Sequence, residues 1–116
     1  MDLVDLLLEE KKEREKYFKD PEKYAKRIKK KAKKILKSVK VFLFGSIVRG
    51  DFLFSSDIDL LVVSDNFKES ERGKIISQLL NEVGFFSPFQ IHLVKKGDFE
   101  KWYKNFIKKG EIKEIK

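Results

Sequence analysis

Apolar and polar residues repeat along this chain with two periods, and the period marks the elements. Residues 2–18 carry good helix formers. Asp20-Pro21 breaks that run, since Asp suits a helix N-cap and Pro suits the first helical position. A second helix is predicted over about 21–37, where Tyr24, Ala25, Ile28, Ala32, Ile35 and Leu36 recur at helical spacing. That stripe is narrow, so the helix is expected on the surface of the core. "SVKVFLFGS" is β-branched and aromatic and predicts a strand over about 38–44, stopped by Gly45. Residues 47–54 read as irregular or as a short helix. A second strand, 57–63, is continuously apolar after Asp59, the mark of burial on both faces.

Ser64-Asp65-Asn66 is a turn cluster. A helix over about 69–83 has Glu69 and Glu71 near its start and Ile75, Ile76, Leu79, Leu80 and Val83 as its stripe, with Gly84 as its stop. "FQIHLVKK" predicts a third strand, about 89–95. Asp98 then caps a last helix, about 99–108, on which Phe99, Trp102, Tyr103, Phe106 and Ile107 keep helical spacing. The expected fold is α+β, a small mixed β-sheet flanked by helices. There is no repeat and no low-complexity linker. One domain over 1–116 is expected, with helices in 1–37 and the core in 38–108.

Composition adds limits. The 116 residues fit one domain. Charged residues make up 40%, against the usual quarter or so. Much of the excess is Lys and Glu on predicted helix surfaces, and with no Cys and one Met this is the bias of thermophile proteins. The absence of Cys excludes a disulfide scaffold and a thiolate metal site, and the single His excludes a multi-His zinc centre. The apolar patch Leu3 to Leu8 lacks the positive start and long apolar core of a signal peptide. No run reaches transmembrane length, so no membrane partner and a cytoplasmic location are expected.

The net charge of +8 gathers in "KRIKKKAKKILKSVK", Lys26 to Lys40. Such a stretch suits a solvated helix face, phosphate attraction or partner docking. The aromatic stripe of the last helix has the spacing of core or interface rather than of base stacking. Nucleic acid therefore ranks last among the partners considered. The same stripe, with the apolar N-terminal patch, offers a homo-oligomer surface.

The chemistry concentrates in "FGSIVRGDFLFSSDIDLLVV", Phe44 to Val63. Residues two apart on a strand project to one face, so Asp57 and Asp59 present two carboxylates together. Ionising both is costly unless a cation neutralises them. Paired hard oxygens suit Mg²⁺, which takes one or two carboxylates and shares its remaining shell with water and phosphates. Asp-x-Asp alone is equally a strand end surfacing into solvent. Gly45 and Gly50 permit tight backbone and close approach of a phosphate. The Ser46 hydroxyl can donate to phosphate oxygens, and Arg49 can add charge-assisted bonds.

Taken together, a hydrophobic strand, Gly-Ser, the intervening residues Ile47 to Ser56 and then Asp-hydrophobic-Asp resemble the signature of the DNA polymerase β-type nucleotidyltransferases. The string is similar to that of their small stand-alone branch, the minimal nucleotidyltransferases. The resemblance implies a polymerase-β-like nucleotidyltransferase fold and transfer of a nucleotide, AMP from ATP first among them, to a protein or small-molecule acceptor. It implies Asp57 and Asp59 as Mg²⁺ ligands and catalytic residues. Gly45 and Ser46 would hold the triphosphate, with Arg49 and Ser56 as further nucleotide-binding positions. It also implies a small helical HEPN-type protein as partner, in a toxin–antitoxin arrangement. The alternative is a nucleotide- or partner-binding subunit, antitoxin-like, with weak or no catalysis.

Two positions depart from the pattern. The family often supplies a third carboxylate from the next strand, and here that segment reads Ile91-His92-Leu93-Val94, with Gln90 facing the same way. Neutral imidazole is a poor ligand for Mg²⁺. His92 is expected as a general base near neutral pH or as a plain hydrogen-bonded residue. Ile47 stands where minimal members often carry a basic residue, which leaves Arg49 as the only arginine in the loop. One tightly bound Mg²⁺, or nucleotide binding with slow turnover, is the resulting expectation.

Overall fold

Two helices open the chain and meet at an acid–proline pair. The computed structural model describes residues 2–84, 86–103, 105 and 110–116, the Trp102 side chain excepted. α1 (Leu3–Lys19) is capped by Asp2, whose carboxylate accepts from the Asp5 amide at 2.9 Å. α2 (Pro21–Leu36) is capped by Asp20, which accepts from the Lys23 amide at 3.3 Å, and Pro21 fills the first position, where no amide is needed. Only the far end of α1 is anchored, through buried Tyr17 and Phe18. Leu3, Val4, Leu6, Leu7 and Leu8 at its other end are exposed.

The remaining elements are β1 (Lys40–Phe44), α3 (Ser46–Arg49), β2 (Ile58–Val63), α4 (Arg72–Leu80, entered through a 3₁₀ turn at Glu69–Glu71) and β3 (Phe89–Val94). α5 (Lys96–Asp98) runs on into a π-helical turn, Phe99–Tyr103, and β4 (Ile112–Glu114) closes the order. The sheet order is β3-β2-β1-β4. β1 is antiparallel to β2 and β4, while β2 and β3 are parallel and joined by the α4 crossover. This is the small mixed sheet of an α+β fold.

β2 separates two apolar layers, as its unbroken apolar run predicts. Ile58, Leu60 and Val62 face one side with Val41, Leu43, Phe89, Ile91 and Leu93, under Ile28 and Leu36 of α2 and Leu79 of α4. Complete burial of each such side chain contributes about 1.5–3 kcal/mol. Leu61, Val63 and Val94 face the other side, with Phe42, Phe44 and Ile112 packed under Phe99 and Tyr103. Asp59 and His92 belong by strand parity to this second, thinner layer. The turn at 64–66 forms as expected, with the Ser64 hydroxyl donating to the Ser38 carbonyl at 2.7 Å and the Asn66 amide group to the Leu36 carbonyl at 2.8 Å.

Four expectations are corrected. The predicted helix over 69–83 ends at Leu80, because the Glu82 and Val83 amides reach carbonyls three residues back and tighten the last turn. Gly84 still stops it, at φ +106°. The last helix begins at Lys96, and Asp98 lies inside it rather than capping it. The Lys96 amide instead donates to the Asp65 carboxylate at 3.0 Å, a contact that local spacing cannot announce. Of the five-residue stripe, Phe99 and Tyr103 are seen against the sheet, while the Trp102 side chain, Phe106 and Ile107 lie outside the described residues. Asp57 falls one residue before β2 rather than within it.

β4 is the fourth correction, a strand that the predicted order lacks. It holds three residues, too few for a period to show, and its partner β1 is remote in sequence. It is fastened at both sides. The Ile115 amide donates to the Val41 carbonyl at 2.8 Å, and the Lys29 ammonium donates to the Ile115 carbonyl at 2.7 Å. Lys113 pairs with Glu22 of α2, and that hydrogen bond holds the Glu22 carboxyl below its ordinary range.

Candidate active site

β1 ends in a turn that only glycine accommodates easily. Gly45 has φ +81° and ψ −147°, a region nearly closed to other residues. Its amide donates to the Glu111 carbonyl at 3.1 Å, which fixes the turn to the segment entering β4. The short α3 follows at once, and its C-terminus closes at Gly50 with φ +87°. Ser46, partly buried, is the first residue of α3.

Asp59 lies directly across the sheet from this turn, since Phe44 and Asp59 are register partners. A Cβ built on Gly45 would stand 3.1 Å from Asp59 Oδ2. Glycine therefore leaves that oxygen uncrowded. The other oxygen, Oδ1, lies 3.3 Å from His92 Nε2, so the two ends of the carboxylate serve two neighbours. The imidazole is boxed by aromatic rings, with centroids at 5.3 Å for Phe44 and 6.3 Å for Tyr103. Gln90, the register partner of Asp59 on β3, is exposed.

Asp57 is exposed and lines a groove of about 500 Å³ together with Leu7, Glu10, Lys11 and Arg14 of α1 and Phe54 and Ser55 of the loop. Arg14 holds this loop in place: Nε donates to the Phe54 carbonyl at 2.9 Å and Nη2 to the Ser56 carbonyl at 2.7 Å. The Ser56 hydroxyl accepts from the Leu53 amide at 3.2 Å and so closes the turn that precedes Asp57. Arg14→Met keeps the apolar stem and removes both donations. A loss of about 1–2 kcal/mol in urea denaturation is expected, with faster proteolysis between residues 50 and 57. Unchanged proteolysis would mean that the loop is held by other contacts.

Arg49 is held by acids on its own side of the turn. Its guanidinium pairs with Asp51 at 3.2 Å and lies 3.7 Å from Glu111. The site residues predicted from sequence thus fall into three groups. Gly45, Asp59 and His92 are brought together. Asp57 lines the groove under α1, and Ser56 beside it is held by Arg14. Arg49 is paired with carboxylates, and Ser46 follows Gly45 into α3, where its carbonyl accepts from the Gly50 amide at 2.9 Å. Arg14 and Glu111, which flank these groups, carry no local sequence signal, because both act across long separations in the chain.

Among the described residues, no three or more His, Cys, Asp or Glu side chains gather to hold a metal ion. Mg²⁺ does not require such a cage, since one or two carboxylates suffice beside water and phosphate. The uncrowded Oδ2 of Asp59 and the exposed Asp57 fit that requirement.

This α+β fold, with its mixed four-stranded sheet, is that of solved nucleotidyltransferase-like structures. The chain belongs to the nucleotidyltransferase domain family, whose family model matches residues 22–115. Among solved structures, a provisionally named nucleotidyltransferase is 32% identical over 78% of this chain and 96% of its own, with a TM-score of 0.64. Another, from Sulfolobus solfataricus, is 22% identical over 88% of this chain and 85% of its own, with a TM-score of 0.61, and so shares the fold. No curated protein matches.

Proposed function

We propose that this chain is a Mg²⁺-dependent nucleotidyltransferase that moves AMP from ATP to an acceptor on a protein or small molecule. The observation that carries this reading is the Gly45 turn against Asp59 Oδ2, at the head of a buried strand. Asp57 and Asp59 would hold the ion. When bound, Mg²⁺ supplies charge neutralisation at the triphosphate. The Gly45-Ser46 turn lets phosphate oxygens approach the backbone, and the Ser46 hydroxyl donates to them. The acceptor oxygen attacks the α-phosphorus, the bond to the bridging oxygen of the β-phosphate breaks, and pyrophosphate leaves while the acceptor proton passes to solvent. His92 meets Asp59 Oδ1 through Nε2, a contact that would orient that carboxylate. Arg49 reaches phosphate by exchanging its Asp51 partner for it.

The second reading is a nucleotide- or partner-binding subunit with slow turnover, antitoxin-like beside a HEPN-type helical protein. His92 in the position of a third carboxylate favours it. Calorimetric titration of ATP with Mg²⁺ and with EDTA is expected to give binding at least about tenfold tighter with the metal, a difference of about 1.4 kcal/mol. Absence of ATP binding in Mg²⁺ would overturn the first reading and leave the partner-binding form of the second. Pyrophosphate release in the presence of acceptor separates the first from the second.

A further inference from the structure

Every exposed residue of α2 is a cation: Lys23, Lys26, Arg27, Lys30, Lys33 and Lys34. They share one face, because Ala25, Ile28, Ala32 and Leu36 on the other are buried against the core. Within the helix the one counter-charge is Glu22, which acts on Lys26 but gives its hydrogen bond to Lys113. Among the described residues, the carboxylate paired with a lysine of α2 on this side is Glu82, 3.8 Å from Lys31.

Lysines and arginines four apart, such as Lys26 with Lys30 and Lys30 with Lys34, are like-charge neighbours and destabilise the helix. A surface charged only for solvation or heat resistance would alternate signs. Arg27, Lys30, Lys31 and Lys34 also wall a cleft of about 270 Å³ with Glu82. The row Lys23, Arg27, Lys30, Lys34 follows the helix axis in steps of about 4.5–6 Å.

We infer that this face of α2 binds the phosphate backbone of a nucleic acid. A regular row of cations meets a regular row of phosphates. The apolar side of α2 is already buried, so the helix has no face to insert into a lipid surface. The exposed side has no apolar or aromatic centre of the kind that protein interfaces use. The surface lies across the sheet from Asp59 and His92, so it serves docking and does not depend on the catalytic reading.

Fluorescence anisotropy with a labelled 20-base-pair DNA duplex and a labelled single-stranded RNA tests this. With about four phosphates neutralised, affinity is expected to fall about a hundredfold between about 50 and 200 mM salt. Lys30→Gln/Lys34→Gln, which keeps helix propensity, is expected to lower the log–log salt slope by about two. Lys68→Gln/Lys74→Gln removes the same charge from exposed positions elsewhere and is expected to leave the slope unchanged. In the wild type, nucleic acid is expected to protect the Lys30 and Lys34 amines from acetylation. Equal effects of the two double variants would reduce the binding to net charge and overturn the inference. So would failure of both nucleic acids to bind, and binding of poly-glutamate in their place would reassign the face to an acidic protein.

Discussion

Replacing Asp57 and Asp59 together by Asn is expected to remove Mg²⁺-dependent ATP binding while leaving the fold intact. Each Asn keeps the shape of the side chain and loses the charge. A charged hydrogen-bonding or ligating group is worth about 1.5–3 kcal/mol, and each 1.4 kcal/mol or so is tenfold in affinity. The double variant should therefore bind about a hundredfold more weakly or worse in Mg²⁺, and no differently from wild type in EDTA. Stability sharpens the prediction. Without metal, Asp59→Asn also weakens the contact with His92 Nε2, so metal-free Tm should stay level or fall slightly in the variant. The rise in Tm that Mg²⁺ and ATP give the wild type should disappear. A variant that kept the Mg²⁺ effect would remove these residues from the site.

Gly45→Ala is expected to damage both stability and binding. The backbone at φ +81° and ψ −147° is strained for any residue with a Cβ, at a cost of about 1–3 kcal/mol. The new methyl group would also stand 3.1 Å from Asp59 Oδ2, and that carboxylate must move. Gly50→Ala is the matching control. Its φ is +87°, so it carries strain too, yet a Cβ there meets nothing within 4 Å. Urea denaturation should therefore report loss in both variants. ATP affinity in Mg²⁺ should fall at least about tenfold in Gly45→Ala alone, about 1.4 kcal/mol. Equal loss of affinity in the two would mean that the conformation of the loop, and not access to Asp59, governs the site.

Much of the fold is legible in the sequence where a feature is local. Asp20-Pro21 marks the start of α2 by residue type alone, and the apolar run after Asp59 marks a strand covered on both sides. Gly45 marks the turn where the chain must take a left-handed backbone. What escapes is whatever depends on remote residues. β4 is three residues whose order comes from pairing with β1. The start of α5 at Lys96 depends on Asp65. Asp59 and His92 could each be placed on a strand face, but their approach depends on the register of β2 against β3. Arg14 reads as one more charge on a helix of charges, although it holds the loop that leads to Asp57.

The hydrogen bond from the Gly45 amide to the Glu111 carbonyl carries a consequence for the order of assembly. During synthesis the chain leaves the ribosome from its N-terminus, and β1, β2 and β3 are all available before residue 111 appears. A nascent chain that ends after Tyr103 can pair those three strands and still lack the carbonyl that receives this amide. The Gly45 turn is then completed late, by the segment entering the strand that is hardest to see in the sequence.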